Sequence, residues 1–298
     1  MRRVTSESRC ERREAPCYIR KEVIPMDNVL DLKVVKLFVD TCHQSWLKGW
    51  NERNGGNMSY RMKEEEVAQI RHLFDFSGEL RPIGLAVANL ANEFFTVTGS
   101  GKYYKNVLRE PENNICIVQI DEKGENYKIV WGLCEGGVPT SEFPTHLLNH
   151  SIKKEKTNGA YRVIMHAHPA NTIALTFLLP LEDKAFTREI WEMITECPIV
   201  FPAGIGVVPW MVCGSSDIAY ATGEKIKQFD AVIWSHHGIF CCGQDFDVAF
   251  GLMDTIEKSA EILIKVMSCG GKKQFITREQ ILALAEPYNV PIDGNMLD

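Results

Sequence analysis

None of the chain's ten cysteines forms a Cys-x-x-Cys pair, and two of them, Cys241 and Cys242, are adjacent. That pattern argues against a cysteine-built zinc module or a disulfide framework, and it suits a reducing compartment. No stretch approaches the roughly 18 uninterrupted apolar residues of a membrane-spanning helix. Positive charge is not in surplus: 33 Lys and Arg stand against 39 Asp and Glu, a formal charge of −6. Nucleic acid and anionic membranes are therefore not expected partners. With 298 residues and 45% hydrophobic content, there is material for a substantial core. The expectation from these bounds is a soluble cytoplasmic enzyme.

The first 25 residues read differently from the rest. Seven basic residues between Arg2 and Lys21 alternate with Glu7, Glu11, Glu14 and Glu22, almost without apolar periodicity. There is no apolar core for a secretory signal, and the glutamates argue against a transit peptide. Residues 1–25 are expected to be a disordered tail or an extension upstream of a natural start at Met26, with one domain over 26–298. Lys21-Glu22-Val23 can be encoded by a purine-rich ribosome-binding sequence a short distance before Met26, which is the reason for that second possibility.

Along the body, Leu30, Val34, Leu37, Phe38 and Thr41 recur at three- and four-residue steps and predict an amphipathic helix to Leu47. Strands are expected at Met58–Tyr60, Phe94–Thr98, Ile115–Ile120, Tyr127–Gly132, Val163–His168 and Ala231–Trp234, with Asp121–Gly124 as a hairpin turn. Helices are expected at Thr145–Ile152, Asn171–Leu178 and Thr187–Thr195. The longest should run from Phe246 to Met267, capped by Asp245 and ended by Gly270-Gly271. Thr277-Arg278-Glu279-Gln280 is a capping-box pattern opening a last short helix. No repeat or interdomain linker is visible after residue 26, so one mixed α/β domain is expected.

Five segments carry chemistry. His166-Ala167-His168 closes an apolar run, and two-residue spacing in a strand sends both imidazoles to one side. A second apolar run ends in His236-His237-Gly238. Three neutral imidazoles with coordination positions left open are what a catalytic zinc site needs. Spacing alone leaves a second reading open, in which these are hydrogen-bonded polar side chains. Asn54-Gly55-Gly56-Asn57 and Thr98-Gly99-Ser100-Gly101-Lys102 bring small donors and permissive backbone suited to a phosphate, or to ordinary turns. Neither fits the G-x-x-x-x-G-K-[ST] nucleotide loop. Thr140-Ser141-Glu142 leads into a helix, as a plain N-terminal cap or as an anion site beside a general base.

Taken in order, Trp46–Asn57, Val97–Lys102, Val138–Glu142, Val163–His168, Thr195–Cys197 and Trp234–Gly238 resemble the class II aldolase family from about Met26 almost to the C-terminus. The stretch 63–92 is only weakly constrained by that likeness. The resemblance implies a single α/β domain with a mainly antiparallel central sheet flanked by helices. It implies a homotetramer with active sites at subunit boundaries and one zinc ion per subunit. The implied reaction is retro-aldol cleavage of L-rhamnulose 1-phosphate, a step of rhamnose catabolism, to dihydroxyacetone phosphate and L-lactaldehyde. By motif, His166, His168 and His237 are the implied metal ligands, with His236 an extra residue. Glu142 is the implied catalytic acid/base, Asn54, Asn57, Ser100, Thr140 and Ser141 cradle the phosphate, and Glu196 reaches a neighbouring subunit's site.

Other readings stay within sight. A fuculose 1-phosphate aldolase or a ribulose 5-phosphate 4-epimerase shares the zinc and phosphate logic. A non-catalytic adducin-like scaffold would lack the histidine trio or Glu142, and all four are present. A zinc hydrolase would need no phosphate cradle.

Overall fold

The computed structural model describes residues 24–298, so the expected N-terminal extension lies outside the described residues apart from Ile24 and Pro25. Nine strands form one sheet: β1 Asn57–Arg61, β2 Arg81–Pro82, β3 Phe94–Thr98, β4 Ile115–Ile120, β5 Asn126–Gly132, β6 Val163–Ala167, β7 Gly206–Val208, β8 Ala231–Trp234 and β9 Gly238–Gly243. Their spatial order is β2-β5-β4-β3-β1-β6-β9-β8-β7. Every pairing is antiparallel except β7 with β8, which the Ser216–Ile226 helix connects. A parallel pair needs such a crossover, whereas β8 and β9 close through Ser235, His236 and His237 alone.

Both faces of the sheet are covered. Phe94 and Ile117 join a large apolar core, while Phe95, Val97, Cys116 and Val118 join a second one. Alternation along β3 and β4 sends neighbours to opposite faces, so these strands read as continuous apolar runs instead of alternating ones. The Phe246–Ser268 helix buries Ala249, Met253, Ile256, Ala260 and Leu263 in the larger core. On the other face, Leu147 of the Phe143–Lys156 helix and Ala219 of the Ser216–Ile226 helix pack into the second core.

The expected strands at Phe94–Thr98, Ile115–Ile120 and Ala231–Trp234 have those bounds, and the long helix ends one residue later than expected. The β4–β5 turn is fastened by Asp121, whose carboxylate accepts from the Glu125 amide and from Asn126 Nδ2 at 2.9 and 2.7 Å. Other expectations shift or lengthen, the expected 145–152 helix for instance being Phe143–Lys156. The helix expected over 187–195 is Asp183–Trp191, the 171–178 helix is Ala170–Leu175, and His168 lies one residue beyond β6. Asp183 explains the shift of the 187–195 helix. Its Oδ1 accepts from the Val207 amide and its Oδ2 pairs with Lys225, which ties the helix start to β7 and to the crossover helix.

Candidate active site

The site forms where β1, β6 and the β8–β9 turn meet. Asn57 and His166 are direct cross-strand partners on β1 and β6. His237 is delivered by the turn whose closing pair is Trp234 and Gly238. His166, His168 and His237 each offer a ring nitrogen, and the three atoms lie within 4.8 Å of one another.

Hydrogen bonding settles which nitrogens face inward. His166 Nδ1 lies 3.0 Å from the Ile239 carbonyl and must donate to it. His168 Nδ1 lies 2.8 Å from Glu52 Oε1, so it too is the protonated nitrogen. Each neutral ring then keeps an unprotonated Nε2, and both Nε2 atoms are buried without a hydrogen-bond partner. Two buried lone pairs facing one point are costly unless something electrophilic sits there, and this pattern of an oriented outer nitrogen is that of a metal ligand. Burial holds His166 well below the ordinary imidazole pKa and brings His237 down to about 4, so these two rings are neutral at physiological pH.

Glycine is required at two points of this arrangement. A Cβ on Gly238 would come within 2.4 Å of the Ala167 carbonyl and about 3 Å of both the His166 and His168 rings. A Cβ on Gly55 would stand 2.8 Å from the His168 ring. The glycine loop 54–57 therefore packs directly on the histidine cluster. Its neighbour Glu52, which sequence reading missed, orients His168; an acid two residues before Asn54 was the available signal.

His236 is elsewhere. It adopts a left-handed backbone with φ of 61°, its Nδ1 lies 3.0 Å from Thr176 Oγ1, and its ring packs on Phe177 at 4.3 Å. It does not join the trio.

Glu142 is the residue preceding the Phe143–Lys156 helix, and it is buried. Its Oε2 accepts from Asn57 Nδ2 at 2.8 Å and stands 3.5 Å from His166 Nε2. Burial raises its pKa, opposed by the Asn57 hydrogen bond. A buried carboxylate with its pKa raised above the ordinary range, next to a histidine cluster, is suited to a general acid/base role. Cys213, also absent from the sequence reading, brings an exposed thiol into one group with Glu142 and His237, again within 4.8 Å.

Of the phosphate candidates, Asn54, Ser100 and Ser141 are exposed and Thr140 is buried. Two backbone ties bring the Ser100 loop against the Thr140 segment: Ser100 N donates to the Val138 carbonyl and Thr140 N to the Thr98 carbonyl, each at 2.9 Å. Asn57 is buried like Thr140, and its side-chain amide is engaged by Glu142 and by His146. One Nδ2 hydrogen remains for any further acceptor. Glu196 is exposed at the start of the Cys197–Val200 helix, and among the described residues it bonds to none of the other candidates through its side chain.

A mainly antiparallel sheet carrying a His-x-His strand end, a third histidine on a hairpin turn and a buried glutamate defines an α/β protein with a histidine cluster able to hold a metal ion beside a buried acid. Residues 36–264 match the family model for the class II aldolase and adducin N-terminal domain, and the chain belongs to this family. Among curated relatives, rhamnulose-1-phosphate aldolase of Mannheimia succiniciproducens is 46% identical over 270 residues, covering 90% of this chain and 99% of that protein. The Klebsiella pneumoniae protein of the same name is 46% identical over 275 residues, covering 92% and 99%. A sugar-phosphate aldolase structure from Thermotoga maritima superposes with a TM-score of 0.70 at 30% identity, covering 80% of this chain and 97% of that one.

Proposed function

We propose that this chain is a zinc-dependent aldolase that cleaves L-rhamnulose 1-phosphate to dihydroxyacetone phosphate and L-lactaldehyde. Identity of 43–46% to proteins named rhamnulose-1-phosphate aldolase, over about nine-tenths of the chain, favours this substrate over fuculose and ribulose phosphates. The observation that carries the chemistry is the pair of buried, unpartnered Nε2 atoms on His166 and His168 beside His237 and Glu142.

His166, His168 and His237 are the residues that would hold the ion, and neutral ligands leave it its full charge. When bound, a divalent ion there supplies Lewis-acid stabilisation of the negative charge that builds on the ketone side. The rest falls to the chain. Cleavage breaks the bond between C3 and C4 of the ketose; as the aldehyde forms, the C4 hydroxyl proton passes to solvent, the electron pair stays on C3, and Glu142 is protonated from the same solvent pool, so no proton is gained or lost overall. Glu142 then gives a proton to C3, or removes it in the reverse direction. Asn54, Ser100, Thr140 and Ser141, with the free N–H of Asn57, hold the phosphate and spend that remote binding energy on orientation.

The exposed position of Glu196 is compatible with service to a neighbouring subunit's site in a homotetramer. A cytoplasmic setting is supported by eight unpaired cysteines among the described residues. The catalytic body is taken as 26–298. Metal analysis of purified protein, with turnover on L-rhamnulose 1-phosphate, L-fuculose 1-phosphate and ribulose 5-phosphate, tests the proposal. One zinc per chain and preference for the first substrate are expected; preference for either other sugar phosphate would overturn the substrate.

A further inference from the structure

Behind Glu142 runs a buried chain of hydrogen bonds that the chemistry above does not use. Asn57 Oδ1 lies 2.5 Å from His146 Nε2, His146 Nδ1 lies 2.7 Å from Ser59 Oγ, and Ser59 Oγ lies 2.8 Å from His150 Nε2. Ser59, His146 and His150 are fully buried, and Asn57 is nearly so. His146 and His150 sit one helical turn apart on the Phe143–Lys156 helix, and Asn57 and Ser59 share one face of β1. The helix that Glu142 opens therefore also carries the histidines that back its partner.

The polarity of this chain is forced. An ionised carboxylate only accepts, so Asn57 must turn its Nδ2 toward Glu142 and its Oδ1 toward His146. His146 must then donate from Nε2, leaving Nδ1 to accept from the Ser59 hydroxyl. Ser59 in turn accepts from His150 Nε2, and the chain ends on His150 Nδ1, which is buried and unpartnered. Only one tautomer of each histidine satisfies this order. Because an amide stands between Glu142 and the imidazoles, the chain does not carry protons to the carboxylate; it fixes which end of Asn57 faces Glu142. A flipped Asn57 would aim its carbonyl oxygen at the carboxylate, removing a donor and adding repulsion.

We propose that His146, backed by Ser59 and His150, is a positioning residue that locks the Asn57 amide so that Asn57 holds Glu142 in line with the substrate carbon. This rests on Glu142 being the carbon acid/base of the proposed aldolase. Histidine at 146 is not there to fill space, since an apolar residue would do that without the cost of burying a polar ring.

The test compares His146→Leu, which removes the donor, with His146→Gln, which restores an N–H at a similar reach, using zinc-loaded full-length protein. Turnover of L-rhamnulose 1-phosphate is measured together with exchange of the dihydroxyacetone phosphate C3 proton with deuterated solvent, which needs the base without the aldehyde. In His146→Leu both rates are expected to fall together by roughly 10–100-fold, with KM and zinc content held. His146→Gln should recover most of the loss. Should His146→Leu fold poorly, Ser59→Ala breaks the next link with little change of volume and should slow exchange in the same way. A folded, zinc-loaded His146→Leu or Ser59→Ala protein with wild-type exchange overturns the proposal, as does a loss that tracks melting temperature and is not rescued by glutamine. Wild-type protein that exchanges the proton but leaves L-rhamnulose 1-phosphate intact would sink the substrate reading alone, with exchange still deciding the role of His146.

Discussion

At the scale of single residues, Glu142 combines burial with a hydrogen bond from Asn57 and a 3.5 Å approach to His166. Glu142→Gln keeps size and polarity but cannot accept a proton. Zinc content should be unchanged while turnover falls by about 10²–10⁴-fold, the usual contribution of a positioned general base. Steady-state kinetics on metal-loaded protein checks this, and a variant within a few-fold of wild type would move the acid/base role elsewhere. The two adjacent histidines of the β8–β9 turn should separate cleanly. His237→Ala removes one of three clustered nitrogens and is expected to abolish metal retention. His236→Ala loses only a contact to Thr176 and Phe177 and should retain the metal. Metal analysis after dialysis measures both, and full zinc in His237→Ala would refute the ligand set.

At the scale of elements, the strands and the long helix were legible in the sequence because their signals are local. Asp245 is an N-cap before a 3.6-residue apolar stripe, and its carboxylate accepts from the Val248 amide at 2.9 Å. Asp245→Ala should cost about 1 kcal/mol of stability, the typical worth of such a cap, and leave turnover per folded molecule unchanged. Denaturant titration with a parallel activity assay measures both. The same locality explains what was missed. β7 has three residues and β2 two, too short to show alternation, and β9 reads as a glycine-flanked cysteine run that only its pairing with β6 and β8 makes a strand. The Ser216–Ile226 helix was also missed, although Ser215 caps it by accepting from the Ile218 amide.

For the molecule as a whole, two buried histidines set a pH dependence. Burial lowers His146 to about 3 and His150 well below its ordinary value, whereas an unfolded chain titrates both near 6.5. Between those limits the unfolded state binds more protons, so this stability is fully present above about pH 6.5 and declines as pH falls toward about 3. The melting temperature should be level above neutrality and fall steadily below about pH 6, in chelated as well as zinc-loaded protein, since neither histidine is a proposed ligand. A chelated protein with a flat profile would contradict it. Assembly has its own test. If Glu196 serves a neighbouring chain, mixing Glu142→Gln and Glu196→Gln chains and reassembling them should restore part of the activity. No recovery from proven mixed oligomers would confine both acids to one chain's site or leave Glu196 a structural role.

The sequence by itself made the mixed α/β fold legible and brought forward the histidine trio and Glu142 as candidates, because His-x-His at a strand end, His-Gly after another and Thr-Ser-Glu before a helix are contiguous patterns; spacing alone left plainer readings open, and the family resemblance singled these residues out. Tertiary structure alone decided how these are held. Glu52 meets His168 across 116 positions, and Asn57 meets Glu142 across 85 and His146 across 89. Contacts so distant leave no periodic trace in the chain; they exist because β1 lies between β3 and β6, which sets the glycine loop and Asn57 against the histidines.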